Sequence, residues 1–394
     1  MEPPIRTDFN MALSDFAGSF RGIIDELKQQ QKKMLITMHR YLDGDAFGSA
    51  VALGLILRRF GVDSALLCVP FLPEKFDFLS RISQLTILEA SENRRIYSPS
   101  EFSQSLQAHF PEKIAEYGAL TILDCAGFGQ IPEEAWSIGL KLPHKINIDH
   151  HVGYLLDADQ EGVLNLVGNC SSTSEVLFQL MEHLGVDPDP EIAVPLYVGI
   201  TADLRKNDIS EQSEAYPTRA IETVRTQVDK MGADTHREIK AIFSLDPWES
   251  YLLNAIKDKL CFSDNIVYVS FDPDMVLDAK QETDSLDNPR MPFHEFHIQL
   301  RQLLQQFKGS HPIVVVFDQM LAKVSLYDQN RAGTFDLASV SRELGGGGHA
   351  NRAGFSFEAA RERLLKDRII ETGASDDCVI TEIVAFIGKH ADGQ

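Results

Sequence analysis

Apolar residues recur at helical spacing from residue 10 to residue 31 (Met11, Leu13, Phe16, Phe20, Ile23, Ile24 and Leu27), which predicts an amphipathic helix with one packing face. The pattern then shortens to an apolar run, Lys33 to Met38, that stops at a polar turn, His39 to Gly48. It resumes as a helix of small and apolar residues, Ser49 to Phe60, followed by a second short run, Ser64 to Val69. Strand, helix and strand in this order read as a βαβ unit, and hence as the start of a parallel sheet. Two further buried runs, Leu120 to Leu123 and Lys145 to Ile148, lead directly into Asp124 and Asp149. Helical patterns follow over Ser172 to Leu184 and Ile192 to Thr201. Ligands of an open parallel sheet bind beyond the carboxyl ends of its strands. Three polar clusters, beginning at His39, Asp124 and Asp149, are therefore expected on one side of the sheet.

After Asp203 the chain reads as helix to about Phe243 and then meets Leu245-Asp-Pro-Trp248, a hinge-like stretch. A second strand-rich pattern starts beyond it, over Ile266 to Phe271, Pro312 to Phe317 and Leu321 to Leu326. Asp272 to Pro292, rich in Asp and Pro, reads as an exposed loop, and a helix over Phe335 to Leu344 ends in four glycines and His349. The expected fold class is α/β: a parallel-sheet domain over residues 1–240, a linker over 241–250 and a smaller α/β domain over 251–394. A length of 394 residues accommodates two such domains.

Charge changes the picture. With 37 Lys+Arg against 58 Asp+Glu, the formal net charge is −21, which disfavours a protein that grips long DNA or RNA through its phosphates. Five widely spaced cysteines, with no CxxC pair, fit reduced thiols in a cytoplasm better than a disulfide framework or a zinc ribbon. Residues 1–30 lack the apolar core of a signal peptide, and no apolar run approaches the ~18 residues of a membrane span. A cytoplasmic protein without membrane contact is expected; homodimerisation is left open.

The first chemical cluster places His39, Asp43 and Asp45 within seven residues at a strand end. Carboxylates with an imidazole suit hard divalent cations such as manganese, magnesium or iron, although Asp43 and Asp45 could equally cap a helix. Asp149-His150-His151 could be metal-ligating or a surface doublet, and Asp124 and Asp203 could be solvated residues at element ends. Ser172-Thr173-Ser174-Glu175 reads as a helix start with a capping carboxylate. Cys125 beside Asp124 reads as a buried thiol rather than a nucleophile.

Taken together, His39-xxx-Asp43-x-Asp45, Asp124, Asp149-His150-His151 and Gly199-Ile-Thr-Ala-Asp203 resemble, in order, the motifs of the DHH phosphoesterase superfamily. Gly345, Gly346, Gly347, Gly348 and His349, with Arg352 and Gly354, are similar to the glycine-rich signature of the DHH-associated substrate-binding domain in its RecJ-like and nanoRNase/pAp-phosphatase branches. The resemblance implies a catalytic first domain with two divalent cations, manganese foremost and magnesium or iron as alternatives. His39, Asp43 and Asp124 would hold one cation; Asp45, Asp124, His150 and Asp203 would hold the other. It further implies that Asp149 orients the His150 imidazole, that His151 faces the substrate phosphate, and that the stretch at Ser172 lies near enough for a phosphate contact. Gly345 to Gly348, His349 and Arg352 would bind substrate in a second domain that closes over it.

Two departures from the family pattern stand out. Leu204-Arg205-Lys206-Asn207 replaces Thr-Gly-x-Phe, which reads as an altered loop, and Tyr327-Asp328 replaces an arginine-containing strand end, leaving Arg331 as the nearby substitute. The activity implied is hydrolysis of short nucleotides, oligoribonucleotides or 3′-phosphoadenosine 5′-phosphate (pAp), by a two-metal-activated water. A cyclic-dinucleotide phosphodiesterase, an inorganic pyrophosphatase, a processive single-strand exonuclease and a non-catalytic nucleotide-binding regulator are the alternatives; length and acidity oppose the exonuclease, and long nucleic acid is not expected as a partner.

Overall fold

The computed structural model describes residues 5–391 apart from 40–41, 69–73, 89–113, 126–130, 132–134, 136–138, 140, 152–162, 207–217, 286–293, 308, 320–321, 329–334 and 350–351. The chain separates into two compact units, Met1–Ser244 and Leu245–Gln394.

In the first unit a helix, Ile5–Gln30, precedes β1 (Lys33–Met38). The remaining strands are β2 (Ser64–Leu67), β3 (Thr86–Leu88), β4 (Tyr117–Leu123), β5 (His144–Asp149) and β6 (Val163–Val167). They form one sheet in the order β3-β2-β1-β4-β5-β6, and every pair is parallel. The expected βαβ opening is therefore present. β4 is buried along its whole length and β1 at every position but the first, as expected of strands covered on both faces. Strand order reverses between β1 and β4, because β1 leads outward to β2 and β3 while β4 leads to β5 and β6. The crevice of such a sheet opens beyond the carboxyl ends of the two strands at the reversal.

Several element limits differ from the sequence pattern. The helix after β1 runs Gly44–Arg59, five residues earlier than its apolar stretch, because Asp43 caps it by accepting from the Asp45 and Ala46 amides at 3.0 and 2.9 Å. The next helix pair, Thr173–His183 and Pro190–Lys206, carries the helical chain past Asp203, so Leu204 to Lys206 are helical rather than an altered loop. Arg205 lays its guanidinium over the Phe243 ring, 5.2 Å from the centroid. Helices Thr218–Val228 and Ala233–Ile242 complete the unit.

The second unit opens with helix Pro247–Lys257, started by a capping box between Asp246 and Glu249. Its sheet runs β11-β12-β10-β9-β8-β7, from β7 (Cys261–Ser263), β8 (Ile266–Phe271), β9 (Ile313–Asp318), β10 (Lys323–Asp328), β11 (Gly347–His349) and β12 (Arg352–Ser356). Only the β8-β9 pair is parallel. Helices Pro247–Lys257, Pro273–Glu282 and His294–Gln305 bury one apolar cluster with the sheet, including Trp248, Phe271 and Phe296. Helices Leu337–Glu343, Phe357–Lys366 and Asp376–Ala391 bury a second, including Phe317, Leu326 and Ile383. The expected loop from Asp272 to Pro292 is in fact helical over Pro273–Glu282: Asp272 caps it through the Met275 amide at 2.8 Å and proline occupies its first turn.

The chain is thus α/β, a wholly parallel sheet in one unit and a mixed sheet in the other. Among the described residues no helix is long and apolar enough to cross a membrane.

Candidate metal centre

The carboxyl ends of β1, β4 and β5 deliver His39, Asp124 and Asp149-His150-His151 to the crevice at the reversal of strand order. Asp43, Asp45, Asp124, Asp149 and Asp203 are all buried. The distances define three overlapping groups whose ligand atoms lie within 4.8 Å of one another: His39, Asp43 and Asp124; Asp45, His150 and Asp203; and Asp124, Asp149, His150 and His151. Asp124 belongs to two of them. His39 Nε2 is 3.3 Å from Asp124 Oδ2 and 3.7 Å from Asp43 Oδ2, while His150 Nε2 is 3.2 Å from Asp203 Oδ2 and 3.5 Å from Asp124 Oδ1.

Backbone geometry explains how these groups meet. Asp124 has φ +56°, in the left-handed region where an aspartate is tolerated better than most side chains. Its amide still pairs with the Ile148 carbonyl at 3.1 Å, so the chain turns sharply at the residue just past β4. Asp203 reaches Asp45 because helices Gly44–Arg59 and Pro190–Lys206 pack backbone to backbone. A Cβ on Gly48 would lie 2.5 Å from the Pro195 carbonyl, and one on Gly199 would lie 1.9 Å from Ser174 Oγ and 2.9 Å from Asp45 Oδ1.

So many carboxylates in one buried place perturb each other. Burial, then the charges of Asp124 and Asp203, push the Asp45 carboxyl well above its ordinary range. Burial acts the same way on Asp124, but hydrogen bonds and charge from His150 and His39 outweigh it and hold that carboxyl well below the usual value. Burial opposes a charged His150, yet the hydrogen bond to Asp124 and the field of Asp124, Asp203 and Asp45 raise its pKa to about 10. Without a cation the centre keeps a proton on His150, in the space where its neighbours call for positive charge.

The donor set fits a hard divalent cation. It offers carboxylate oxygens and imidazole nitrogens, and the nearby Cys125 thiol is turned to the Leu123 carbonyl at 3.1 Å. Burial and the fields of Asp124, Asp149 and Asp43 raise that thiol well above its usual pKa and keep it protonated. His150 has its second ring nitrogen held: Nδ1 faces the Cys170 carbonyl at 3.3 Å, leaving Nε2 for the centre, as metal-ligating histidines are commonly held.

Asp149 does something other than the family pattern implies. Its Oδ1 accepts from the His150 amide at 2.7 Å, the His151 amide at 3.2 Å and His151 Nδ1 at 2.8 Å. The side chain it orients is therefore His151, and the Cys170 carbonyl takes the place expected for it on His150. Neither partner is readable from spacing. Thr173 is a further contact, its Oγ1 donating to Asp124 Oδ1 at 3.0 Å; the only sequence signal for it is its place in the polar helix start at Ser172.

The glycine-rich segment lies in the second unit. Gly345 has φ +81° just past helix Leu337–Glu343, and a Cβ on Gly346 would lie 2.1 Å from the Gly354 carbonyl. These two glycines are demanded by the fold. Gly347 is different: a Cβ there would meet nothing within 4 Å. β11 and β12 pair Gly347 with Gly354, Gly348 with Ala353 and His349 with Arg352. Ser341 Oγ donates to the Gly347 and Gly354 carbonyls at 3.1 and 2.7 Å and pins the hairpin. Arg331 lies outside the described residues.

No curated protein matches the chain. Among solved structures, an exopolyphosphatase-related protein from Bacteroides fragilis superposes with a TM-score of 0.66 at 18% identity, over 96% of this chain and 97% of that one. RecJ in complex with Mn2+ from Thermus thermophilus gives a TM-score of 0.46 at 13% identity, over 98% of this chain and 60% of that one. Exonuclease RecJ bound to manganese gives 0.44 at 14%, over 94% and 96%. The family model described as the DHH family N-terminal domain matches residues 33–200, the stretch that carries His39 to His151. Residues 33–200 are thus similar to a DHH-family N-terminal domain.

Proposed function

We propose that the protein is a metal-dependent phosphoesterase acting on short nucleotides, oligoribonucleotides or pAp. The observation that carries the reading is the set of carboxylate and imidazole groups that overlap through Asp124 and His150 at the reversal of strand order. His39, Asp43 and Asp124 would hold one divalent cation, and Asp45, Asp124, His150 and Asp203 a second. Manganese is the first choice, with magnesium or iron as alternatives. When bound, such a pair supplies Lewis-acid activation of the phosphoryl group and of water.

The chain's own residues supply the rest. Asp124 is the shared anionic donor, and the Cys170 carbonyl fixes the ring of His150. Asp149 holds His151 through Nδ1; with its side chain 43% exposed, His151 can present its other ring nitrogen to a substrate phosphate and pass a proton to the leaving oxygen. In this reading residues 1–240 are the catalytic domain, 241–250 the linker and 251–394 the substrate-binding domain. Gly347, Gly348, His349, Arg352 and Arg331 would contact the substrate. Five widely spaced cysteines with no CxxC pair fit a reducing compartment and a cytoplasmic enzyme.

The charge of −21 does not by itself exclude a longer strand, because a cation-filled crevice sets its own local potential. The similarity to an exopolyphosphatase-related protein favours polyphosphate as a second substrate to examine. The test is a hydrolysis panel with Mn2+: pAp, pApA, cyclic di-AMP, longer RNA, pyrophosphate and polyphosphate. Turnover of pAp or pApA that stops on chelation is expected. Phosphate release from pyrophosphate or polyphosphate alone would replace the reading with a phosphoanhydride hydrolase, and tight nucleotide binding without turnover under any divalent metal would replace it with a regulator.

A further inference from the structure

The start of helix Thr173–His183 is built in two layers. Ser172 caps it, its hydroxyl accepting from the Glu175 amide at 3.0 Å. Glu175 folds back so that its carboxylate accepts from the Ser171 amide and hydroxyl at 2.7 and 2.8 Å. Those contacts fix the helix start but leave the first amides without intrahelical partners. Asp45 takes both: the Thr173 amide donates to Oδ2 at 2.7 Å and the Ser174 amide to Oδ1 at 2.9 Å. The positive end of the helix dipole favours that carboxylate. Thr173, itself fully buried, also donates its hydroxyl to Asp124 Oδ1 at 3.0 Å. One residue therefore holds, by its backbone, a carboxylate of one candidate ligand group and, by its side chain, the carboxylate shared by the other two.

From this geometry we infer that Thr173 is a positioning residue of the metal centre, setting the placement of Asp124 relative to Asp45 before a cation arrives. The inference rests on the metal-centre reading above and deepens it. Two buried carboxylates repel each other and would turn apart if only their own rotamers held them. The amides of Thr173 and Ser174 restrain Asp45, and the Thr173 hydroxyl restrains Asp124. The bare Cα of Gly199 leaves the room in which Ser174 and Asp45 meet. Bound cations then find their donors already in place and need not order them, which is how outer contacts raise metal affinity. The stretch at Ser172, for which a phosphate contact was expected, thus turns its Thr173 hydroxyl to a ligand carboxylate.

The test compares Thr173→Val, which keeps the shape and loses the hydroxyl, with Thr173→Ser, which keeps the hydroxyl. Mn2+ binding to the chelator-stripped full chain is measured by titration calorimetry, with circular dichroism as the check on folding. Thr173→Val is expected to weaken Mn2+ binding by about 10–100-fold, and Thr173→Ser to stay close to the parent protein. The Mn2+ concentration for half-maximal hydrolysis should rise in the valine variant while KM for the nucleotide stays put. If the valine variant does not fold, Thr173→Ala replaces it in the comparison with serine. Equal Mn2+ affinity in the valine or alanine variant and the parent, or a serine variant as weak as they are, overturns the inference while leaving the centre itself standing. A parent protein that binds no Mn2+ overturns both.

Discussion

Replacing Asp124 by asparagine changes the centre at the point where its groups overlap. Asparagine keeps the size of the side chain and tolerates the left-handed backbone at φ +56°, whereas alanine there would add strain of roughly 1 kcal/mol. The amide removes one negative donor from two of the three ligand groups at once. Asp43→Asn, by contrast, touches only the group it shares with His39 and Asp124. Each cation bound at a concentration a hundredfold above its Kd stabilises the folded chain by about 2.7 kcal/mol. For a unit the size of Met1–Ser244, that corresponds to a rise in Tm of about 5–11 °C per site. Losing the shared donor is expected to remove nearly all of this rise, while Asp43→Asn retains part of it. If the bridging charge contributes about 4 kcal/mol to the transition state, hydrolysis falls ~10³-fold. The assay is a thermal melt of each variant with saturating Mn2+ and with chelator, paired with initial rates on pAp. An Asp124→Asn protein that keeps the full Mn2+-induced rise and a rate within tenfold of the parent would refute the assignment of Asp124 as shared ligand.

Metal binding should be linked to protons. The metal-free centre keeps His150 protonated up to about pH 10, and a cation takes only the neutral ring. Binding between pH 7 and 9 therefore releases a proton, and the apparent Kd for Mn2+ should fall by up to ~10-fold per pH unit for each proton released; calorimetry in buffers of different ionisation enthalpy measures this, and an absence of release argues against His150 as ligand. Thiol reagents should modify the exposed Cys261 and Cys378 in the native chain, whereas the buried Cys68 and Cys125 should react only after unfolding; a fast-reacting native Cys125 would contradict its burial beside carboxylates. Gly346→Ala should destabilise the second unit by about 1–3 kcal/mol, because its Cβ collides with backbone, and Gly347→Ala should leave the denaturant midpoint unchanged. Equal midpoints for the two variants would overturn the distinction drawn between these glycines.

Much of the centre is legible in the amino-acid pattern because an open parallel sheet collects whatever follows its strands. The apolar runs ending at Met38, Leu123 and Ile148 are short and sharply bounded, so the polar residues after them must emerge on one side. What the pattern does not encode is which strands are neighbours. That β4 lies beside β1 and makes the reversal depends on crossovers whose order is a tertiary outcome. Nor does spacing say which imidazole Asp149 meets, since the turn after β5 folds His151 back onto it and leaves His150 to a carbonyl twenty residues on.

Capping and ligand roles look like competing readings of Asp43 and Asp45 in the sequence, yet the structure joins helix ends and site. Asp43 caps its own helix, and Asp45 accepts amides from another. The helix at Pro273–Glu282 is hidden in the pattern although Asp272 and Pro273 are a good start signal, because the Asp and Pro content of the segment outweighs it. In the second unit, strands β7 and β11 are three residues each, too short for an alternating pattern, and Gly347 to His349 has almost no side chain to alternate.

The most direct measurement of the central claim is anomalous diffraction from crystals of the full chain soaked in Mn2+. Two manganese peaks about 3.5–4 Å apart are expected, one beside His39 and Asp43 and the other beside Asp45, His150 and Asp203, with Asp124 in reach of both. A crystal soaked at saturating Mn2+ whose peaks lie away from Asp124, or that carries no peak at this cluster, would contradict it.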